Sequence, residues 1–243
     1  MPKIILVTSG KGGTGKSTVS QFLGRALAMR GKNALLVELD SGLRGLDLML
    51  GLSDRVVYDL SDILTGRCRP YEAIIPANTQ RGNLHLIAAP VDRYFVPDKK
   101  RLSVLLRNLS GCYDFLILDS AAGVGHEFDI VASVAEEALV VATPDPVSLR
   151  DASRVAVSLK CRSRLVINKF TQRALRFSFP HIDAMIDTAG IQLISVIPED
   201  EMIPTACAAG RELPANSAAK GEIDDLAARL SGERVYLNQK RLR

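Results

Sequence analysis

A glycine-rich segment that directly follows an apolar run constrains the fold of this chain most strongly. Residues 4–7 are apolar, and residues 10–17 read Gly-Lys-Gly-Gly-Thr-Gly-Lys-Ser, which fits the phosphate-loop pattern Gly-x-x-x-x-Gly-Lys-Ser. Glycines in this pattern let successive backbone N–H groups turn towards phosphates, whose approach a side chain would obstruct. After Lys16, apolar residues recur at helical spacing as far as Gly31. The opening unit is therefore predicted to be a strand, a phosphate-binding loop and a helix.

The polar residues of the loop have separate chemical roles in this pattern. Lys16 would reach the β- and γ-phosphates, and the Ser17 hydroxyl would coordinate Mg²⁺. The N-terminus of the following helix favours negative charge. Lys11 lies too far along the backbone to duplicate Lys16 and needs another target. The predicted nucleotide-binding residues of this segment are Gly10, Lys11, Gly12, Gly13, Thr14, Gly15, Lys16, Ser17 and Thr18.

Six further apolar runs predict a parallel sheet. They cover residues 34–37, 84–88, 115–118, 138–142, 165–167 and 193–197, and they are continuous rather than alternating. Continuous runs are typical of strands buried on both faces. Helical stretches are predicted at residues 98–109, 148–159, 181–189 and 215–230. We therefore predict an α/β fold, a single-domain P-loop NTPase with a mainly parallel central sheet flanked by helices on both faces. This domain would span residues 1–232, before a short basic C-terminal tail at residues 233–243.

Composition places few further limits on function. The apolar fraction of 47% and the charged fraction of 24% are ordinary for a globular protein and argue against a disordered or disulfide-scaffold chain. A net charge of +4 is too small to indicate nucleic-acid binding unless the basic residues cluster. The four cysteines lack metal-binding spacing and are expected to be reduced thiols. Without a signal peptide or an apolar stretch of roughly 18 residues, the expected compartment is the cytoplasm.

The loop also carries a family signature. Residues 11–18, Lys-Gly-Gly-Thr-Gly-Lys-Ser-Thr, resemble the deviant Walker A motif of the MinD/ParA family of P-loop ATPases. Other segments resemble that family in the same order, namely residues 40–48 (the first switch region), 55–59, 115–120 (the Walker B strand), 150–154 and 196–200. The chain is identified as a member over about residues 3–232. Its resemblance is strongest to the members that select the division site.

The resemblance implies a mechanism with ATP and Mg²⁺ as cofactors. The implied catalytic residues are Lys11, Lys16 and Asp40, and the implied metal residues are Ser17, Asp40 and Asp119. Lys11 would cross a dimer interface to the nucleotide of the other subunit, like an arginine finger. Asp40 would position the attacking water, and Asp119 would hold Mg²⁺ through water. ATP hydrolysis would dissolve an ATP-dependent homodimer that acts as a switch in cell division, with a protein activator or effector of the Min type.

The sequence departs from the family pattern near the site and at the tail. Glu38 replaces the first of two aspartates near the end of the second strand, and Ala121 occupies a proline position. Gly125 and His126 stand near a usual glutamate. The apolar residues of the tail make a poor amphipathic face, and they are Val235, Tyr236, Leu237 and Leu242. Only weak or partner-mediated association with the inner face of the plasma membrane is therefore expected.

Residues 168–171, Asn-Lys-Phe-Thr, bear on the choice of base. They resemble the guanine-reading pattern Asn/Thr-Lys-x-Asp but lack its final aspartate, so ATP is preferred to GTP. By family resemblance, Asn168, Pro198 and Asp200 line the adenine site. Ordinary loop packing is the alternative role for these residues.

Three other functions are weighed against this interpretation. A ParA-like partition ATPase would bind DNA through a basic cluster, which here would comprise Lys160, Arg162, Arg164, Lys169, Arg173 and Arg176. Few aromatic residues accompany that cluster, which disfavours DNA binding. A metabolic enzyme resembling dethiobiotin synthetase or the nitrogenase iron protein would use the same scaffold, but the paired cluster cysteines of the second are absent. A hydrolysis-poor ATP-binding adaptor is left open by Glu38, Ala121 and Gly125.

Overall fold

The seven predicted apolar runs and one further short strand form one eight-stranded sheet in the computed structural model, which describes residues 3–238. The strands are β1 (Lys3–Thr8), β2 (Asn33–Glu38), β3 (Ile75–Ala77), β4 (Asn83–Ile87), β5 (Phe115–Asp119), β6 (Glu137–Ala142), β7 (Arg162–Phe170) and β8 (Leu193–Pro198). Their order is β3-β4-β2-β5-β1-β6-β7-β8. Every neighbouring pair is parallel except β3 with β4. The predicted fold class is confirmed.

The helices connect these strands and cover both faces of the sheet. They are α1 (Lys16–Met29), α2 (Leu46–Leu50), α3 (Leu60–Thr65), α4 (Pro70–Ala73), α5 (Lys99–Ser110), α6 (His126–Ala132), α7 (Pro146–Ser158), α8 (Gln172–Phe177), α9 (Ile182–Ala189), α10 (Met202–Ala208) and α11 (Ala218–Leu230). The start of α11 differs from the predicted residue 215 because Ser217 is its N-cap, accepting the Lys220 amide. A Ser side chain in this position satisfies one of the free N–H groups at a helix start.

Alternate residues along the central strands enter different cores. In β5, Leu116 and Leu118 pack in the core that α5 and α7 cover, whereas Phe115 and Ile117 pack in the core under α1 and α11. Successive side chains of a strand point to opposite faces, so both faces need apolar residues. This arrangement explains why the strands are continuous apolar runs in the sequence.

The topology gathers several loops at the carboxyl edge of the sheet. β1 lies between β5 and β6, while the crossover through α1 leads away to β2 on the far side of β5. In open α/β sheets, ligands bind in the crevice outside the carboxyl ends of the strands, where the strand order reverses. The loops after β1, β2, β5 and β6 therefore surround the expected ligand position.

The described part of the predicted tail is bound to the amino edge of the sheet. Arg229 donates hydrogen bonds to the carbonyls of Ile194, Val235 and Tyr236 at 3.0, 2.9 and 3.0 Å. Arg30, which follows α1, forms an ion pair with Glu233. Residues 239–243, including the predicted tail residue Leu242, lie outside the described residues. Within residues 3–238, none of the helices combines the length and apolarity needed to cross a bilayer.

Candidate nucleotide-binding site

The glycine-rich loop joins β1 to α1 and depends on two left-handed residues. Gly13 and Gly15 have φ of 78° and 90°, a region that side chains disfavour. A Cβ at Gly15 would also lie 2.3 Å from Asn168 Nδ2, and one at Gly10 would lie 2.5 Å from Asp151 Cβ. Protein neighbours, as well as the expected phosphates, therefore demand glycine at positions 10 and 15.

The end of β7 holds the loop from one side. Asn168 Nδ2 donates to the Thr14 carbonyl at 2.8 Å, and Lys169 Nζ donates to the Gly13 carbonyl at 2.9 Å. Lys169 itself has a left-handed backbone, with φ of 55°, which is uncommon for a residue with a side chain. Such strain persists where surrounding contacts fix it. Asn168 and Lys169 are thus loop-holding residues, a role that the sequence pattern did not indicate.

A buried carboxylate stands beside the start of α1. Asp119, the last residue of β5, is fully buried and accepts a hydrogen bond from Ser20 Oγ at 2.8 Å, and the nearby Ser17 hydroxyl also favours its charged form. Its Oδ2 atom accepts no hydrogen bond from residues 3–238. Burial raises the pKa of Asp119 to about 7, against the lowering effects of both serines and Lys16. A buried charge requires compensation, so this oxygen is suited to a cation.

The donor set around Asp119 fits magnesium. Mg²⁺ is a hard cation that binds carboxylate and hydroxyl oxygens and keeps several water ligands. Asp119 supplies the carboxylate and Ser17 the hydroxyl, and the Ser17 hydroxyl lies close enough to act on the pKa of Asp119. The predicted roles of Ser17 and Asp119 as metal residues are chemically compatible with this geometry.

Asp40 lies in the loop after β2, where the charge of Lys16 acts on it. Its side chain is half-buried, and burial raises its pKa, while the nearby charge of Lys16 lowers it. Lys16 is 8% exposed and also acts electrostatically on Asp119. The fold therefore brings Lys16, Asp40 and Asp119 together from three separate segments. A buried cation whose charge acts on two carboxylates is placed to interact with the negative charge of phosphates as well.

Lys11 occupies a different position from Lys16. Its ammonium group pairs with Asp145 at 3.2 Å, and each side chain is 39% exposed. Asp145 is the N-cap of α7, and it accepts hydrogen bonds from Ser148 N at 2.9 Å and Thr143 Oγ1 at 2.6 Å. Burial raises the pKa of Asp145, but these hydrogen bonds and Lys11 outweigh it and lower the pKa overall. Lys11 is thus held at the surface of its own subunit.

Glu38 stands where the family has an aspartate, and in the structure it binds backbone amides, a role that the sequence did not predict. It is buried at the end of β2, where Oε1 accepts the amides of Gly45 at 2.6 Å and Leu46 at 2.9 Å. Its Oε2 atom accepts the Ala89 amide at 3.2 Å. Burial raises the pKa of Glu38, although these three hydrogen bonds oppose that change. Glu38 therefore holds the far end of the loop that carries Asp40.

The three predicted adenine-site residues do not share one environment. Pro198 ends β8, and Asn168 is occupied with the phosphate loop. Asp200 lines a cleft of about 870 Å³ beside α10. It accepts hydrogen bonds from Met202 N, Ser217 Oγ and Ala219 N at 2.8, 2.6 and 3.0 Å, which join the starts of α10 and α11. Burial raises the pKa of Asp200, but these hydrogen bonds outweigh it and lower the pKa.

The basic cluster considered for DNA does not form one surface. Arg164 pairs with Glu137 at 2.6 Å, and Arg162 contacts Gln192 at 3.3 Å, both near the amino end of β7. Lys169 is at the other end, bonded to the phosphate loop. The nine residues of β7 separate these ends by about 26 Å at roughly 3.3 Å per residue. The structure gives no specific support to the DNA-binding alternative.

These features define the class of the protein. A strand, a glycine-rich loop, a buried lysine, a helix start and a strand-end carboxylate form the site of a P-loop nucleotide-binding protein. The CobQ/CobB/MinD/ParA nucleotide binding domain family matches residues 5–213. Septum site-determining protein MinD of Bacillus subtilis (strain 168) is 32% identical over 98% of this chain and 92% of its own length.

Solved structures agree with this assignment. The MinC:MinD cell division protein complex of Aquifex aeolicus matches with a TM-score of 0.87 and 33% identity, over 97% of this chain and 98% of that one. MinD of Pyrococcus horikoshii OT3 in complex with Mg-ADP matches with a TM-score of 0.82 and 30% identity, over 95% and 96%. The chain belongs to the MinD/ParA family of P-loop ATPases, which confirms the resemblance seen in its loop.

Proposed function

We propose that this chain is a MinD-like ATPase that binds Mg-ATP, dimerises when ATP is bound and hydrolyses ATP to ADP. The cycle would act as a switch for the spatial regulation of cell division. The name of the Bacillus subtilis relative, a septum site-determining protein, supports the cellular role. The Mg-ADP complex of the Pyrococcus horikoshii relative supports the choice of nucleotide and metal.

The observation that carries the proposal is the different placement of the two loop lysines. Lys16 is buried beside Asp40 and Asp119, where it can neutralise the phosphates of its own subunit's nucleotide. Lys11 is half-exposed, and its ammonium group is paired with the surface carboxylate of Asp145. Once released, Lys11 can extend out of its subunit towards a second nucleotide. A dimer is the simplest assembly that would use it.

The proposed site follows from these positions. Gly10, Gly12, Gly13, Thr14, Gly15 and Thr18 would surround the phosphates with Lys16, and Asn168, Pro198 and Asp200 would lie towards the base. Asp40 would hold the attacking water, and Ser17 and Asp119 would hold magnesium with Asp40 ordering its water shell. Magnesium, when bound, neutralises charge on the β- and γ-phosphates.

Exposed apolar side chains around the site support a face that binds protein. Leu43, Val124 and Val147 are 77%, 57% and 51% exposed. They lie in the loops after β2 and β5 and at the start of α7, all at the carboxyl edge that carries the phosphate loop. Apolar groups clustered at one edge are typical of interaction surfaces. This face would meet the second subunit when ATP is bound.

We propose a second protein of the Min type as activator or effector. The support is the structural match to the MinD subunit of a MinC:MinD complex. We further propose that the protein is cytoplasmic and associates weakly, or through its partner, with the inner face of the plasma membrane. Co-sedimentation with anionic liposomes in ATP and in ADP tests the membrane association, which requires more pelleting with ATP.

The nucleotide proposal is tested with four proteins: wild type, Lys16→Ala, Lys11→Ala and the surface control Lys99→Ala. Calorimetry should show Mg-ATP binding by all except Lys16→Ala. Sedimentation velocity with a non-hydrolysable ATP analogue should show dimers of the wild type and control only. ATP turnover should fall by about 1,000-fold or more without Lys11, by analogy with an arginine finger.

The outcomes separate the alternatives. If the wild type binds no Mg-nucleotide, the ATPase proposal is wrong. Binding without turnover, with or without a partner, would favour the adaptor. Normal dimerisation and hydrolysis by Lys11→Ala would refute the cross-subunit role of this lysine while leaving nucleotide binding intact.

A further inference from the structure

A cleft of about 760 Å³ lies away from the phosphate loop, between α1, the segment after α2, the loop between β3 and β4, and the segment after α10. Three arginines line it: Arg25, Arg55 and Arg211. Among residues 3–238, Glu212 is the only acidic residue that lines it. A volume of a few hundred Å³ is typical of small-molecule sites. The charge of this lining favours an anion.

Arg25 is the residue that makes this cleft unusual. It projects from the middle of α1, is 4% exposed, and donates to the Asn78 carbonyl at 3.2 Å and the Gly210 carbonyl at 2.7 Å. Its Nε atom is buried and donates to no acceptor within residues 3–238. The charge of Glu212 acts on Arg25 and favours its charged form, but the two residues form no ion pair. Burial lowers its pKa.

A buried guanidinium without a carboxylate is costly. Burying a charge is unfavourable unless an opposite charge and full hydrogen bonding compensate it. Two carbonyl oxygens satisfy part of the donor capacity of Arg25 but none of its charge. An anion in the cleft would supply the missing compensation.

The other two arginines are placed at the open rim. Arg55 is exposed and donates to the Pro76 carbonyl at 2.9 Å, and Arg211 is exposed next to Gly210. One wall of the cleft is formed where the backbones of Gly210 and Gly51 pack closely against each other. A Cβ added at Gly210 would lie only 2.9 Å from the Gly51 backbone. Both glycines are left-handed, with φ of 62° and 69°. The rim arginines therefore stand on segments that are fixed relative to one another.

We propose that this cleft binds a small polyvalent oxyanion, held by Arg55 and Arg211 at the rim and compensated by Arg25 beneath. Guanidinium groups bind phosphate and carboxylate oxygens through paired N–H donors. Either group carries the required chemistry, and the ligand class is a small phosphorylated or polycarboxylated molecule. The site is separate from the phosphate loop and does not depend on the proposed ATPase cycle.

The test is calorimetric titration of the full chain with pyrophosphate and with citrate in magnesium-free, low-chloride buffer. The phosphate loop would also attract pyrophosphate, so each titration is repeated with Lys16→Ala. Binding of at least one anion should persist in Lys16→Ala. It should weaken by about tenfold or more in the double variant Arg55→Ala/Arg211→Ala, because charge-assisted hydrogen bonds are lost. Arg107→Ala, an exposed arginine on the opposite face, is the matched control and should bind normally.

The pyrophosphate and citrate titrations decide which class of ligand the cleft binds. Tighter pyrophosphate binding assigns a phosphorylated ligand, and tighter citrate binding assigns a polycarboxylate. The proposal is overturned if neither anion binds, if Lys16→Ala removes all binding, or if the double variant binds as tightly as the control. If Arg25→Met folds, it should bind neither anion. If it does not fold, the Arg55→Ala/Arg211→Ala variant tests the proposal alone.

Discussion

The surface pair between Lys11 and Asp145 gives a quantitative prediction about dimerisation. If Lys11 must leave Asp145 to reach a second nucleotide, removing the carboxylate charge should favour the dimer. Asp145→Asn is the suitable change because asparagine is as good an N-cap as aspartate and preserves the start of α7. An exposed ion pair contributes about 0.2–1 kcal/mol. Two pairs break per dimer, which gives about 0.4–2 kcal/mol, or about a 2- to 30-fold lower dissociation constant.

Sedimentation equilibrium with a non-hydrolysable ATP analogue measures this constant directly. The effect should shrink as salt is raised, since exposed charges are screened. Asp183→Asn, a change on α9 away from the loop, is the charge-matched control. An unchanged or higher dissociation constant for Asp145→Asn, with an unaltered melting temperature, would show that Asp145 does not restrain Lys11 within the monomer.

Three further changes test the supports of the site. Glu38→Gln should lower the free energy of unfolding by about 1–3 kcal/mol in urea titrations, because the amide NH₂ group must face a backbone donor such as that of Ala89. Equal stability of the two proteins would contradict this. Gly15→Ala should cost about 1–2 kcal/mol for its left-handed backbone and also displace Asn168, so calorimetry should show weakened nucleotide binding; normal affinity would mean that the loop tolerates a Cβ. Asp200 has a lowered pKa, so its stabilisation is present above its unfolded pKa of about 3.9 and is lost as the pH falls through the folded value. Thermal melts should therefore show Asp200→Asn less stable than wild type at pH 7 and the difference vanishing at acid pH, whereas a pH-independent difference would exclude this linkage.

The fold could be predicted because the strands other than β3 are largely buried on both faces. That environment leaves a continuous apolar run, as at residues 115–118, which is visible without any tertiary information. β3 was missed because it has three residues, includes Pro76 and pairs on one side only with β4. Proline is tolerated in such an edge strand, so the usual sequence signal is lost. The short helices were missed for a similar reason, since four to seven residues show little periodicity.

The site could be predicted where the chemistry is local and not where it is assembled by contacts. Residues 10–18 carry their pattern within one segment, so their position at the start of α1 followed directly from the sequence. The hydrogen bond from Asn168 to the Thr14 carbonyl joins residues that are 154 positions apart in the sequence. The three amides that reach Glu38 come from two different loops. No periodicity or motif encodes such pairs, because only the folded sheet brings them together.

The anchoring of residues 233–236 by Arg229 and Arg30 has a geometric consequence for any complex that this chain enters. α1 begins at the glycine-rich loop and ends beside Glu233, and its 14 residues span about 21 Å at 1.5 Å each. The last described segment therefore departs from the pole of the molecule that faces away from the nucleotide. Whatever binds that side, whether lipid or protein, leaves the phosphate-loop side free for the second subunit that we propose.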